Sequence, residues 1–288
     1  MNAGRDRAVS TTLDVAVFLV LATAAVGTLA VPAADPPDAG AADPTLRTLS
    51  TATVDIGYRL TPAEPIDGTP PGPEYDRVAH GTPADLLAEA AVESFAVDGS
   101  RPTRTHDGFR AAVRNATLAV AGSRADGVRV EAVWRPFPGA AIAGRIAAGP
   151  TPPTGIDVDA STRSVPSGLP TARSEAVAAA DGGFDAVARV VAGAVIDGLF
   201  DPDATRLALA GDAPVSDLVS RRYNRTATLL GTSVDLSGFD TAAANARLRA
   251  ALADRLARGM RTRFDSPRAA ARAVRVGTVR IRVRTWSS

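Results

Sequence analysis

The sequence predicts an α+β protein in which one N-terminal transmembrane helix precedes an extracytoplasmic domain of mixed helices and strands. Three observations support this class: one long apolar run near the N-terminus, three short segments of alternating apolar residues, and helical periodicity with capping residues between them. Of the 288 residues, 45% are hydrophobic and 22% are charged, as in chains that fold. Disorder over the whole length is therefore excluded.

The apolar run covers residues 15–31, and no other stretch of the chain is both as long and as apolar. A helix rises about 1.5 Å per residue, so the run together with Leu13 approaches the ~30 Å hydrocarbon core of a bilayer. Arg5 and Arg7 precede the run and acidic residues follow it, so the positive-inside rule predicts a cytoplasmic N-terminus. We therefore expect a single-pass protein of the cell membrane, with the bilayer as a partner and the bulk of the chain extracellular. The expected anchor residues are Leu13, Val15, Phe18, Leu19, Leu21, Val26, Leu29 and Val31.

Three fates of this segment are compatible with the sequence. In the first case it is a secretory signal cleaved near Val31, although Pro32 disfavours cleavage there. In the second case it is an uncleaved anchor. In the third case the chain is cut before the run, since Arg7, Ala8 and Val9 place a basic and a small residue just ahead of it. The mature protein would then begin at Val9 with its own hydrophobic helix.

This N-terminus resembles the class III signal of archaeal type IV pilins, which a prepilin peptidase cuts. The stretch RAVSTTLDVAVFLVLATAAVGTLA is similar to the opening of an uncharacterised haloarchaeal family of pilin-like membrane proteins, and so are VEAVWRPFPG at 130–139, LPTAR at 169–173 and VRTW at 283–286. The sequence departs from the bacterial pattern, which has glutamate where Leu13 stands. The resemblance implies a minor, accessory subunit of a type IV pilus-like or tight-adherence-type secretion system, with pilin-like subunits or assembly platform proteins as partners.

An alternative interpretation is a signal-anchored cell-surface binding domain that acts independently of any filament. Both interpretations share one domain organisation, with a possible internal boundary near residues 149–170, which are rich in Pro, Thr and Ser. The expected parts are a cytoplasmic leader at 1–8, the hydrophobic helix at 9–31, a Pro-, Ala- and Asp-rich spacer at 32–50 and the extracytoplasmic α+β domain at 51–288.

Within that domain, alternation predicts strands at residues 53–60, 128–134 and 279–283, the last with one apolar face and one arginine face. Thr82 as a cap and Pro83 in the first turn predict a helix that runs to about residue 97. Its expected inward residues are Leu86, Leu87, Ala90, Ala91 and Phe95. Further helices are expected at about 107–121, 173–180, 184–199 (buried, not a second membrane span), 215–230 and 240–263, with a short one from Pro267.

Composition argues against most catalytic chemistry. The chain has no cysteine and no lysine, which excludes disulfides, thiolate metal sites and Schiff-base lysines. Of its two histidines, His106 is interpreted as a surface or helix-capping residue and His80 as a loop residue. The aspartates at 157, 159, 201 and 203 lack the spacing of a calcium loop and are interpreted as turn formers. We expect no enzyme activity, catalytic residue, cofactor or metal site.

Charge is distributed unevenly along the chain. From residue 245 to 288 there are twelve arginines and two aspartates, whereas residues 9–244 carry a net charge of −10. With few aromatic residues nearby, the arginines favour an acidic partner subunit or an acidic glycan over nucleic acid. Asn115 and Asn224 each begin an N-glycosylation sequon and are possible glycosylation sites if the domain lies outside the cell.

Overall fold

The computed structural model describes residues 40–60, 72–122 and 127–287. Helices and antiparallel sheets alternate along this part of the chain, which makes it an α+β fold. The elements are α1 (Ala42–Thr51), β1 (Val54–Arg59), β2 (Asp76–Gly81), α2 (Pro83–Glu93), β3 (Ala96–Val97), α3 (Asp107–Ala121), β4 (Gly127–Trp134), β5 (Ile142–Ala148), β6 (Asp159–Pro166), α4 (Arg173–Ala178), α5 (Gly183–Leu199), α6 (Pro202–Ala210), α7 (Val215–Leu230), α8 (Thr241–Arg263), α9 (Pro267–Arg272) and β7 (Thr278–Trp286).

The main sheet has the strand order β3-β5-β4-β7-β6, and every neighbouring pair is antiparallel. The last strand of the chain, β7, lies between β4 and β6, and Val283 is paired with Val130 of β4 and Ser161 of β6. Alternation then gives the sheet two different faces, since successive side chains of a strand point to opposite sides. On the inner face, Val279 and Ile281 are fully buried.

Helices α1, α2 and α3 pack on the inner face of the sheet. Helix α2 lies so close to β5 that a Cβ atom at Gly144 would be 1.8 Å from the carbonyl oxygen of Ala91. Thr82 caps this helix as predicted, because its Oγ1 accepts a hydrogen bond from the backbone N–H of Asp85 at 3.1 Å. The hairpin of β1 and β2 forms a separate two-stranded sheet beside α3 and α2.

The second half of the domain is a set of helices built around α5, which packs along α8. The buried residues of α5 follow a helical spacing, with Val187, Val191 and Val195 inaccessible to solvent. This helix is therefore buried in the protein core, as its sequence predicts. One continuous hydrophobic core joins the helices to the sheet, and Trp134 Nε1 of β4 donates to the carbonyl of Val276 at 2.8 Å.

Three sequence predictions are corrected by the structure. The predicted spacer at 32–50 ends earlier, because residues 42–51 form α1 and bury Leu46 and Leu49. Within the Pro-, Thr- and Ser-rich stretch at 149–170, residues 159–166 form strand β6, since backbone pairing with β7 does not require an apolar sequence. Residues Ala39–Ser288 form one compact unit, so the possible boundary near 149–170 is absent.

Smaller corrections concern element ends and isolated residues. His80 lies on strand β2 and not in a loop, with its Nδ1 2.6 Å from Asp55 Oδ1 on β1. Helix α2 ends at Glu93, and the residues predicted to extend it include strand β3. Asp201 is the N-cap of the unpredicted helix α6, where its Oδ1 accepts from the N–H of Ala204 at 2.8 Å. In the described ranges, none of the helices combines the length and apolar character needed to cross a bilayer.

The close approach of α2 and β5 predicts that Gly144→Ala lowers the free energy of unfolding by about 2 kcal/mol or more, because the added methyl group has no space. Gly57→Ala is the matched control, since a Cβ at this β1 position has no atom within 4 Å and its effect should stay within about 0.5 kcal/mol. Urea unfolding of the full chain, followed by tryptophan fluorescence, measures both. Equal stability of the two variants would contradict this packing.

Candidate anion-binding face

The processing and anchor residues predicted from the sequence all lie outside the residues that the structure describes. They are Arg7, Ala8 and Val9 for processing, and Leu13, Val15, Phe18, Leu19, Leu21, Val26, Leu29 and Val31 for the anchor. The functional features described below therefore belong to the folded domain alone.

Both predicted glycosylation sites lie in the middle of helices. Asn115 on α3 and Asn224 on α7 are exposed, but the threonine of each sequon is buried. The hydroxyl of Thr117 donates to the carbonyl of Val113 at 2.7 Å, and that of Thr226 donates to the carbonyl of Arg222 at 2.7 Å. Modification of either asparagine, which stays a prediction, would therefore have to precede folding of its helix.

The outer face of the main sheet carries a group of arginines, which we call the arginine face. Its members alternate with the buried residues of three adjacent strands, so they share the side opposite the helices. Antiparallel register pairs Arg129 with Arg284 and Glu131 with Arg282. The arginine face consists of Arg129 and Glu131 on β4, Arg145 on β5, and Arg280, Arg282 and Arg284 on β7.

One carboxylate stands among these five arginines. The carboxylate of Glu131 forms an ion pair with Arg145. Its two oxygens lie 4.0 Å from Arg129 Nη2 and 4.0 Å from Arg284 Nη2. The Nε atoms of Arg129 and Arg284 are buried without a hydrogen-bond partner among the described residues. Donors thus exceed acceptors on this face, and its net charge is +4.

Arg280 and Arg282 are exposed, and their guanidinium groups make no ion pair with any residue of the described ranges. Thr162 and Ser164 of β6 are paired with Arg282 and Arg280 and are exposed beside them. At the far end, the Trp286 indole occupies the space that a side chain at Gly127 would need. Guanidinium and hydroxyl groups in this arrangement can bind carboxylate or other oxyanions by charge-assisted hydrogen bonds.

A second charged cluster joins three elements and is partly buried, with side chains that are 15–27% exposed. Arg222 Nη1 of α7 donates to Glu93 Oε2 at the end of α2 at 2.5 Å, and His106 Nδ1 lies 3.5 Å from the same oxygen. The Arg222 guanidinium also lies over the rings of Phe95 and Phe200, at 5.4 and 5.5 Å from their centroids. Among the described residues its Nη2 has no hydrogen-bond partner.

The surroundings in this cluster lower the pKa values of Glu93 and His106. Burial alone would raise the pKa of Glu93, but the charges of Arg222 and His106 outweigh it and hold that pKa below its usual value. Burial lowers the pKa of His106, with Arg222 acting in the same direction and Glu93 opposing it. His106 stands at the N-cap position of α3, in line with its interpretation as a capping residue, but its side chain makes no capping hydrogen bond and is only 23% exposed beside Glu93.

We interpret this second cluster as a structural connection between α2, α3 and α7. It has a partly buried carboxylate and histidine but neither a nucleophile nor a third metal ligand. Over the described ranges, no group of three or more His, Cys, Asp or Glu side chains could hold a metal ion. Sequence reasoning missed the cluster because Glu93 and Arg222 are 129 residues apart in the chain.

A family model described as a family of unknown function, DUF7284, matches residues 13–286. No curated protein and no solved structure matches the chain.

The burial of His106 predicts that acidification destabilises the fold. Its folded-state pKa is below the unfolded value of about 6.5, so the unfolded chain binds a proton first as the pH falls through that value. We expect the unfolding free energy to fall between pH 7 and about pH 5.5, and His106→Gln to flatten this slope. His80→Gln is the control, because the His80 side chain is 68% exposed.

Urea midpoints measured across this pH range test the prediction. A slope that His106→Gln leaves unchanged, or that His80→Gln removes instead, would contradict it.

Proposed function

The chain belongs to the DUF7284 family, and we propose that it is a membrane-anchored, pilin-like accessory subunit of an archaeal type IV pilus-like or tight-adherence-type secretion system. The observation that carries this proposal is the sequence Arg7-Ala8-Val9 just ahead of the apolar run at 15–31. A cut between Ala8 and Val9 would leave a hydrophobic helix at the mature N-terminus. Such a helix holds the subunit in the membrane and can later bury its apolar surface against other subunits.

The range of the family match supports a lasting connection between the apolar run and the folded domain. The match begins at Leu13 and ends at Trp286, so both parts lie inside one matched pattern. The small residues of the run, including Gly27 and its alanines, allow close approach between helices. These properties suit a segment that packs against similar segments.

The start of the folded domain supports the same proposal. Helix α1 begins ten residues after the apolar run, and its N-terminus is held by Asp159, whose Oδ2 accepts from the N–H of Ala42 at 2.8 Å. Leu46 and Leu49 on this helix are buried in the core. A ten-residue connection extends at most about 35 Å, so an anchored run would keep the domain close to the membrane surface.

The alternative, a surface domain that acts alone behind an uncleaved anchor, differs in one measurable respect. It retains the N-terminal leader, whereas a pilin-like subunit loses it. The proposed localisation is the same for both, with a single membrane crossing and an extracellular domain.

Intact mass of the protein extracted from native membranes tests the proposal. We expect a mature chain that begins at Val9, and we expect Ala8→Phe to retain the leader because a bulky side chain blocks the small-residue position. Ala3→Phe is the matched control, since it makes the same change within the leader and should be processed normally.

Two results would overturn the proposal. A wild-type chain that keeps Met1 or Asn2 would favour the independent anchored domain. A soluble chain that starts near Ala33 would identify a secreted protein.

A further inference from the structure

The arginine face differs from an ordinary solvated sheet surface in its balance of charge. It has five guanidinium groups and one carboxylate. In the described ranges neither Arg280 nor Arg282 forms an ion pair within 4.0 Å, although Glu131 is the register partner of Arg282. Other arginines of the described ranges, such as Arg222 and Arg255, lie within 4.0 Å of a glutamate or aspartate that neutralises them. Like charges on neighbouring strands repel each other, so this arrangement costs stability unless an anion neutralises it.

The spacing of the arginines indicates the shape of that anion. Arg280, Arg282 and Arg284 occupy alternate positions of β7 and therefore recur about every 7 Å along one line. An extended polypeptide with acidic residues at every second position has the same repeat, because its side chains also alternate. Carboxylates on one side of such a strand can each face one guanidinium of the row.

The structure contains one example of this pairing. Glu131 is a carboxylate on an extended strand, and it lies among Arg145, Arg129 and Arg284 with its side chain only 15% exposed. Arginine and carboxylate therefore already pair within the arginine face. The hydroxyls of Thr162 and Ser164 add donors beside the two unpaired arginines.

We propose that the arginine face binds an extended acidic segment of a partner protein, with its carboxylates paired to Arg280 and Arg282. This goes beyond the proposed anchoring function and does not depend on how the N-terminus is processed. Trp286 lies at one end of the arginine face, and the face itself contains no aromatic rings on which nucleotide bases could stack in a row. A polypeptide is thus a better occupant than single-stranded nucleic acid.

The test uses the full chain in detergent and a fluorescent peptide of about ten residues in which aspartate alternates with serine, followed by anisotropy. We expect binding that weakens as sodium chloride rises from about 0.05 to 0.5 M, because salt screens exposed charges. A peptide of the same composition, with the aspartates in one block, should bind less tightly.

Substitutions of arginines test whether the peptide binds to the arginine face. Arg280→Thr combined with Arg282→Thr keeps strand-forming residues and should weaken binding by at least tenfold, since two charge-assisted pairs are lost. Arg282→Thr alone should give a smaller loss. Arg163→Thr is the matched control, because Arg163 is exposed on neighbouring β6 but is paired with Ile281 and so points to the opposite side of the sheet. It should leave the affinity within about twofold of wild type.

Several results would overturn the proposal. These are no binding of the alternating peptide at low salt, an equal loss in Arg163→Thr, or equal affinity for the block peptide. Tighter binding of a uronic-acid polysaccharide, of oligothymidine or of vesicles rich in anionic lipid would also overturn it and identify a different class of partner. The Ala8→Phe variant should bind the peptide like wild type, which separates this proposal from the one on N-terminal processing.

Discussion

Strand β7 is the constraint on which the rest of the domain depends. It is the last element of the chain, yet it lies between β4 and β6 and supplies the hydrogen-bond partners of both. Without it, β6 would have no partner strand and the sheet would end at β4. The side chains of β7 point alternately to the two sides of the sheet. Val279, Ile281 and Val283 therefore fill the core, whereas Arg280 and Arg282 face outward. The core and the arginine face are therefore two results of one register, and a slip by one residue would bury arginines and expose valines.

The helices complete the domain through contacts of a different kind. Helix α2 packs on the sheet through backbone proximity at Gly144, and it also holds α7 through the ion pair of Glu93 with Arg222. Arg222 is a partly buried cation, 15% exposed, whose desolvation is offset by a carboxylate and two aromatic rings beside it. The Tyr223 hydroxyl, next to it on α7, donates to Asn245 of α8 at 2.7 Å. One turn of α7 thus contacts both α2 and α8, and residues Ala39–Ser288 form a single compact unit.

Much of the secondary structure could be predicted where local signals are strong. The helix capped by Thr82, the helix over 107–121 and the alternating strand near 279–283 all lie close to their predicted positions. Strands β2, β5 and β6 were missed, because their sequences are short or rich in Ala, Gly, Ser and Thr and become strands only by pairing with a neighbour. Helix α1 was missed for a similar reason, since two leucines among small and polar residues give a weak periodic signal. The arginine row was visible in the sequence, but its neighbours Arg129, Glu131 and Arg145 were not assigned to it.

The sequence by itself determined the α+β class, the existence of an N-terminal apolar run that follows Arg5 and Arg7, and the two-faced character of the last strand. These properties depend on composition, capping and periodicity, which act between residues close in the chain. Only the tertiary structure decided that β7 lies inside the sheet, that His106 lies beside Glu93 and Arg222, and that arginines of three strands meet on one open face. Contacts such as Glu93 with Arg222 and Arg129 with Arg284 join residues more than a hundred positions apart. Their energies depend on register and burial that exist only after the chain has folded.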